Sequence, residues 1–277
     1  MIIPKTYEKY LTGVFALLMH LPPLTLFYTG VAGQDWVVLG LLYLLNTLAL
    51  GGAMHRYFAH RGYKTSRPFQ FFLAVSATLF FADVIGFTGR HRLHHKLSDG
   101  DADVHSPRRG FWQCWIGSLL DDGRTDEEVL RMTPDLNRYP ELMWLHRWSF
   151  VPGFAMGTLV WWLGGYTMFA CSYCLIFLLS FHGPSALNYL GHQNRNRRYD
   201  TPDLSSNSIF LGIVLFGEGW HNNHHHFPNS ARAGFFWYEF DGIFYMLKAL
   251  SWTGLIWDLR EPSEEVKYPA LRGAKCA

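Results

Sequence analysis

Histidine is the residue type whose spacing points most directly to chemistry, because 14 of the 277 residues are histidine and most of them cluster. Three groups, named here boxes one, two and three, read His55-Arg-Tyr-Phe-Ala-His60, His91-Arg-Leu-His94-His95 and His221-Asn-Asn-His224-His225. Positions i, i+3 and i+4 of a helix share one face. We therefore expect boxes two and three each to direct three imidazoles toward one point.

Two further pairs of polar residues have informative spacing. Asn188 and His192 are four positions apart and would lie on one face of a helix. His55 and His60 are five positions apart, and their side chains would diverge on a continuous α-helix. We expect the helix that carries box one to bend or end near His60-Arg61-Gly62.

Clustered histidines of this kind predict a metal site. Neutral imidazole is a common ligand of iron, copper, nickel and zinc. The box histidines together with His192 are too many for one ion with roughly four to six ligands, so two ions are predicted. A structural zinc site would recruit cysteine, but Cys114, Cys171, Cys174 and Cys276 lie away from the boxes. His20, His146 and His182 are interpreted as core or surface residues. His105 and His226 stand close to the boxes and are interpreted either as partners of the metal ligands or as exposed residues.

Two long windows almost without charge must supply the elements that position these side chains. In residues 10–54 the only charge is Asp35, and residues 148–194 contain none. A bilayer core about 30 Å thick requires roughly 20 apolar residues per helix, and each window is about twice that length. Each window is therefore predicted to hold a helical hairpin, with breaks at Gly33-Gln34-Asp35 and Gly164-Gly165-Tyr166.

The predicted fold class is an all-α integral membrane protein, with four transmembrane helices in two hairpins and a cytosolic helical cap that holds a two-metal site. The spans are expected near residues 11–31, 36–54, 149–163 and 167–187. The cap would comprise residues 55–148 and 188–277 of a single domain covering residues 1–277. A cleaved signal peptide is disfavoured because the first apolar stretch is too long and runs into a second span.

Charge and composition fit this topology. Two hairpins place all 24 Lys and Arg on one side of the membrane, which the positive-inside rule assigns to the cytoplasm. Residues 69–87 are nearly apolar, but a crossing there would separate box one from box two. We expect them to form a helix buried against, or lying on, the cytoplasmic face of the bundle. A net charge of +2 gives no basis for nucleic-acid binding.

The sequence motifs around the boxes identify a family resemblance. They are Gly52-Ala-Met-His55-Arg56, His91-Arg-Leu-His-His-Lys96, Ala102-Asp103-Val-His105, Asn188-x-x-x-His192, Gly217-Glu-Gly-Trp-His-Asn222 and His224-His225-x-Phe227-Pro228. These motifs resemble those of the membrane fatty acyl desaturases, in particular the stearoyl-CoA/Δ9 desaturase-like branch. The resemblance runs from about Val37 to Arg260, and its three boxes are more specific for the superfamily than for the double-bond position.

The resemblance implies a di-iron centre in a cap over four membrane helices. The iron ligands it implies are His55, His60, His91, His94, His95, His192, His221, His224 and His225, with Asn188 contacting one iron through water. The family uses O₂ and two electrons to convert a saturated acyl chain into a cis alkene, expected here at Δ9. A separate donor protein, similar to cytochrome b5 or a ferredoxin, is expected, and a bacterial inner membrane is preferred over the endoplasmic reticulum.

The resemblance also suggests residues near the substrate. Asp83 matches the family, whereas Arg90 follows Gly89 where acyl-CoA desaturases often have Arg-Asp near the CoA headgroup. Phe87 and Pro184 align with a Trp and a Thr at the bend of the family's acyl tunnel. The acyl carrier therefore stays open among CoA, acyl carrier protein and a complex lipid. A residue deep in the first or second span is expected to close the tunnel and set the chain length.

Two other functions are alternatives. A membrane di-iron hydroxylase shares the metal centre and the hydrogen abstraction, but its product is an alcohol. A non-enzymatic metal transporter or sensor belongs to a different class of protein. A transporter needs ionisable groups along a path through the membrane, and the predicted spans contain almost none.

Overall fold

Three helical stretches in the part of the chain that the structure describes are long and apolar enough to cross a membrane. The computed structural model of the protein describes residues 5–120 and 123–269, so Cys276 and both ends of the predicted domain lie outside the described residues. The three stretches are Tyr10–Thr29, Gly33–Ala59 and Phe150–Leu190. Large apolar side chains on their outer surfaces, including Leu17, Phe27 and Leu41, are exposed.

The first two stretches are separated by a short break at the predicted position. Helix α1 (Lys5–Thr29) ends before Gly30, whose φ of 71° lies in the left-handed region that glycine adopts without strain. Helix α2 (Gly33–Thr47) then begins, and the Asp35 carboxylate in its first turn accepts a hydrogen bond from the Ala32 N–H at 3.0 Å. The stretch continues as π-helical turns over Leu48–Ala59.

The third stretch folds back on itself. It comprises α9 (Phe150–Met168), π-helical turns over Phe169–Cys174 and α10 (Leu175–Leu190). Gly165 has non-helical φ and ψ of 70° and −164°. The Tyr173 hydroxyl donates to the Gly153 carbonyl at 2.6 Å, whereas a straight helix would separate these residues by about 30 Å. The chain therefore reverses at Gly165, within the predicted Gly164-Gly165-Tyr166 break.

The single helix expected over residues 69–87 is wrong. Helix α3 (Arg67–Thr78) ends within this segment, and a separate helix, α4 (Val84–Leu97), begins after Asp83. Phe81, between them, has a φ of 60°, which interrupts any continuous helix. Helix α3 has 12 residues, about 18 Å at 1.5 Å per residue, which is too short for a 30 Å hydrocarbon core.

Short elements complete the fold around box two and box three. The remaining described helices are α5 (Ser118–Leu120), α6 (Asp126–Arg131), α7 (Pro134–Asn137), α8 (Pro140–Arg147), α11 (Ile209–Val214), α12 (His221–His226), α13 (Gly242–Ser251) and α14 (Glu264–Lys267), besides a 3-10 turn at Pro107–Arg109 and π-helical turns at Gln113–Gly117. Strands β1 (Lys64–Thr65) and β2 (Ile256–Trp257) pair antiparallel, with Lys64 opposite Trp257. This pairing ties the chain after box one to the chain after α13.

Two apolar cores hold these elements together. One lies among the long helices and includes Leu42, Val160 and Ile176. The other includes Phe58 next to box one and Ile85 on α4. Because it joins the segments that carry boxes one and two, the second core fixes the framework of the histidine site.

Candidate metal centre

Box one lies at the end of the π-helical turns. The His60 N–H donates to the His55 carbonyl at 3.2 Å, an i to i+5 bond characteristic of a π-helix. This wider turn brings positions five apart onto one side, and the two imidazole rings have centroids 5.0 Å apart. The α-helical spacing rule by which these side chains would diverge does not apply to this π-helical turn, and the expected end of the helix near His60-Arg61-Gly62 is confirmed. The helix does end at Ala59, and Arg61 follows with a φ of 55°.

Box two is attached directly to the end of box one's helix. The Arg92 guanidinium donates to the carbonyls of Phe58 and Ala59 at 2.8 and 3.0 Å and to the Asp135 carboxylate at 2.7 Å. These are among the last carbonyls of the helix, which lack partners within it. Arg92 therefore fixes α4 against the helix of box one and sets the positions of both boxes.

Five imidazoles form a first cluster. The Nε2 atoms of His60 and His91 lie 2.7 Å apart, those of His55 and His224 3.2 Å apart, and those of His95 and His224 2.9 Å apart. His55, His60, His91 and His224 together satisfy the spacing of a metal site. The cluster joins all three boxes although they are far apart in the sequence.

Four imidazoles form a second cluster. The Nε2 atoms of His192 and His221 lie 2.9 Å apart, and those of His221 and His225 lie 3.1 Å apart. His94 completes this group, with its ring centroid 5.1 Å from that of His192. The Nε2 of His94 is buried and has no hydrogen-bond partner among the described residues.

The expectation that each of boxes two and three directs its three imidazoles to one point is wrong. In box two, His91 and His95 belong to the first cluster and His94 to the second. In box three, the middle histidine, His224, belongs to the first cluster and the other two to the second. Positions i+3 and i+4 of a helix differ by about 100° around its axis. Both helices therefore contribute to two centres.

Carboxylates orient the imidazoles from the side remote from the clusters. The Nδ1–carboxylate distances are 2.5 Å for His55–Glu218, 3.2 Å for His94–Asp103, 2.6 Å for His192–Asp99 and 2.7 Å for His225–Asp203. An Nδ1–H donated to a carboxylate fixes the tautomer and leaves the Nε2 lone pair for a metal. Sequence reasoning missed these carboxylates as functional residues. Two of them, Asp103 and Glu218, lie inside the sequence motifs given above. The signal that could have found them is the rule that metal-binding histidines donate their other ring N–H to such partners.

The electrostatics of the clusters favour neutral imidazole. Burial, followed by repulsion from neighbouring histidines, lowers the pKa well below the usual 6.5 for His60, His91, His95, His221, His224 and His225. Burial opposes ionisation of Glu218, but His55 and Arg56 outweigh it and lower its pKa to about 2. Neutral imidazoles backed by ionised carboxylates form a ligand set for a cation.

These residues fit two transition-metal ions. Each cluster supplies at least four imidazole nitrogens, which suit iron, zinc, copper or nickel. Converging Nε2 lone pairs repel one another unless a cation or proton lies between them, and the unpartnered Nε2 of His94 has the same requirement. Among the described residues, no cysteine joins either cluster.

The candidate substrate residues occupy two helices. Asp83, Phe87 and Arg90 follow one another at helical spacing at the start of α4. The Phe87 ring stacks on His91 at 5.2 Å and 12°, and Arg90 lines a small pocket with His94. Pro184 is exposed on α10.

The other predicted residues are placed as follows. Asn188 is half-buried near the end of α10, which stops at Leu190 before His192. His105 lies beside the second cluster, where its N–H donates to Asp103 at 3.0 Å. His226 instead stacks on Tyr199 at 4.0 Å and 9°.

The fold and the site together define a class: helical membrane proteins that can hold two metal ions through histidine. A model of the fatty acid desaturase family matches residues 34–252, which is more than half of the chain. The chain belongs to the fatty acid desaturase family, and so to the oxidoreductases that act on fatty acyl chains.

Curated relatives share this assignment and differ in detail. An icosanoyl-CoA 5-desaturase of Limnanthes douglasii is 33% identical over 239 residues, covering 84% of this chain and 66% of that protein. An sn-1 stearoyl-lipid 9-desaturase of Anabaena variabilis is 31% identical over 256 residues, covering 91% of this chain and 93% of that protein. A Delta-9 acyl-lipid desaturase 1 of Arabidopsis thaliana is 33% identical, covering 81% of this chain and 74% of that protein.

Proposed function

We propose that this protein is an O₂-dependent di-iron desaturase that introduces a cis double bond, at Δ9, into a saturated long-chain acyl group. The observation that carries the proposal is the pair of interleaved imidazole clusters with four carboxylates behind them, in a chain of the fatty acid desaturase family. Abstraction of hydrogen from an unactivated methylene requires redox chemistry that no side chain supplies. Two irons supply it when bound.

The chain's own residues hold the irons and keep the site dry. The ligand set proposed from the sequence divides into five imidazoles at the first centre and four at the second. We propose that Asn188 reaches one centre through a water molecule. Most of these imidazoles are buried, and exclusion of water protects a strong oxidant from side reactions. The Phe87 ring, stacked on His91, gives the first centre an apolar neighbour on the side proposed for the acyl chain.

The proposed topology has four spans, because the third apolar stretch reverses at Gly165 and is counted as two. The metal centres then lie on the cytoplasmic face, together with all Lys and Arg residues. We propose the bacterial inner membrane as the location. Electrons would come from a separate donor protein similar to cytochrome b5 or a ferredoxin.

The relatives support the proposed double-bond position and bear on the choice of acyl carrier, and α4 supplies most of the proposed substrate contacts. Two of the relatives named above are Δ9 desaturases of acyl lipids, which supports Δ9, and one is a Δ5 desaturase of an acyl-CoA. Asp83, Phe87 and Arg90 on α4, with Pro184 on α10, are the proposed substrate contacts. The carrier is CoA, acyl carrier protein or a complex lipid.

Fatty-acid analysis of a desaturase-deficient host that expresses the chain tests the proposal. A new monounsaturated acid with its double bond at C9 is expected from the wild type and not from His224→Ala. His226→Ala is the matched control because the adjacent His226 stacks on Tyr199 rather than joining a cluster, and it should retain the product.

Other products would contradict the proposal in specific ways. Hydroxy acids would identify the hydroxylase alternative, and a double bond elsewhere would overturn Δ9. If no product forms, the purified protein is assayed for iron and for O₂ uptake with an artificial reductant. Iron without O₂ uptake favours the non-enzymatic metal-binding alternative, and absence of iron overturns the di-iron proposal.

A further inference from the structure

Helix α11, just before box three, has an exposed apolar face. Its residues Ile209, Phe210, Ile213 and Val214 are between 40% and 67% exposed, whereas Leu211 on the opposite face is buried. Residues 204–217 contain no Asp, Glu, Lys or Arg. Four large exposed apolar side chains on a six-residue helix indicate that something other than water covers them.

A contact with the second long helix places α11 along the membrane-spanning part of the chain. The Tyr43 hydroxyl donates to the Val214 carbonyl at 3.2 Å. Tyr43 is ten residues beyond Gly33, the start of that apolar stretch, or about 15 Å at 1.5 Å per residue. That is about halfway across a 30 Å hydrocarbon core. The Tyr43 hydroxyl lies at the end of a long side chain, so Val214 need not lie at the same membrane depth as the Tyr43 backbone. A difference in depth of one helical turn, about 5.4 Å, still leaves Val214 beside apolar residues of the span.

The exposed face is continuous with the surface of the spans. The Tyr43 ring packs against Phe216 at 5.8 Å, and Phe216 packs against Phe240 at 5.2 Å. On the helix of Tyr43, Leu41 and Leu44 are also exposed. An apolar surface therefore extends from the second span to α11 and on to Phe240, which is itself exposed.

We propose that α11 is embedded in the bilayer leaflet next to the metal centre, with Ile209, Phe210 and Ile213 in contact with lipid acyl chains. This inference rests on the membrane topology of the proposed function. A lipid surface is the occupant that fits, because the face is uncharged and joins the lipid-facing surface of a span. The nearest charged side chains in the sequence, Asp203 and Glu218, are paired with His225 and His55 instead.

Embedding α11 would bring the lipid phase within one packing layer of box three. The Gly217 N–H donates to the Gly212 carbonyl at 2.7 Å, and the Ser208 N–H donates to the Gly219 carbonyl at 2.8 Å. Helix α11 is thus bonded to the loop that carries Glu218 and leads into box three.

Site-directed spin labelling in liposomes tests this inference. Phe210→Cys is labelled in a Cys276→Ser background, since the three described cysteines are buried. The accessibility of the label to apolar O₂ and to a water-soluble nickel chelate is then measured. Leu41→Cys, on the outer surface of a span, and Glu127→Cys, whose native side chain is 81% exposed on α6, are the lipid and water references.

We expect the Phe210 label to match Leu41, with high O₂ and low nickel accessibility. Nickel accessibility equal to that at Glu127 would overturn the inference and place this face in water, whereas low accessibility to both reagents would overturn it in favour of a protein cover. If the Leu41 label is also accessible to nickel, the membrane topology of the proposed function is what fails. Ile213→Cys provides an independent site on the same face if Phe210→Cys does not fold.

Discussion

The carboxylate of Glu218 lies 2.5 Å from Nδ1 of His55, on the side of the imidazole remote from the first cluster. The same carboxylate accepts a hydrogen bond from Arg56 at 3.0 Å, and Arg56 pairs with Asp241 at 2.9 Å. Asp241 in turn accepts the backbone N–H of Phe244 at 3.0 Å and caps α13. A continuous buried network therefore connects the orientation of His55 to the chain beyond box three.

Glu218→Gln should weaken metal binding at the first centre. An amide keeps the shape of the side chain but loses the charge that holds His55, and loss of such partners typically costs 10–100-fold in metal affinity. Iron titration of the purified protein measures the effect. Glu127→Gln, on the exposed face of α6, is the control and should bind like the wild type. Equal affinity in both variants would mean that Glu218 does not orient His55.

Arg56→Gln should destabilise the fold strongly. Arg56 is 2% exposed and pairs with Glu218 and Asp241, and removal of one partner from a buried pair costs about 3–5 kcal/mol. Arg61→Gln removes the pair between Asp135 and the exposed Arg61 side chain and leaves Asp135 its bonds with Arg92, so it should cost less than about 1 kcal/mol. Denaturant unfolding in detergent compares the two variants. A similar loss in both would contradict the structural role of the buried network.

The division of each box between two centres predicts which double variants are additive. His94→Ala is expected to lower the iron content from about two ions per chain to about one, and adding His225→Ala, in the same cluster, should change little. Adding His95→Ala, in the other cluster, should remove the remaining ion. Elemental analysis of the purified variants distinguishes these outcomes. If the His94/His225 pair is as depleted of iron as the His94/His95 pair, the two clusters do not bind independently.

The ion pair between His146 and Asp83 should stabilise the protein at low pH only. The hydrogen bond that the His146 Nδ1–H donates to the Asp83 carboxylate, at 2.7 Å, raises the pKa of His146 above its usual 6.5. This contribution is fully present below the unfolded-state pKa and is lost as the pH rises through the raised one. His146→Gln should therefore lower the Tm at pH 5.5 but not at pH 9. The pair is partly exposed, so the effect should stay below about 1 kcal/mol. An equal Tm change at both pH values would rule out the charge effect.

Filling a pocket between the long helices tests where the proposed acyl tunnel ends. This half-open pocket of about 240 Å³ is lined by Met19, Phe81, Trp161 and Tyr173 among others, and Met19, in the first span, is the residue that we test as the tunnel end. Met19→Trp should shift the products toward shorter acids in the host assay. Leu17→Trp, at a site 64% exposed on the same helix, is the control. An unchanged chain length with Met19→Trp would place the tunnel elsewhere.

Much of this organisation follows from local patterns in the sequence. The charge-poor windows predict long apolar helices because uncharged stretches of this length are stable in lipid, and Gly165 reverses the chain at the predicted break. The histidine motifs predict the family, and the family match confirms this prediction. Composition is a poorer guide to residues 69–87, since their apolar character suits one helix while the backbone breaks at Phe81.

The arrangement of the site depended on tertiary structure. Spacing rules assume an α-helix, so they could not indicate the i to i+5 hydrogen bond that brings His55 and His60 together. Nor does spacing tell which centre each histidine of a box faces, because that depends on where the other helices lie. Asp99 orients His192 across 93 positions of the chain. The sequence by itself determined which residues can bind metal, through their chemistry and local order, and packing between distant segments decided how they combine.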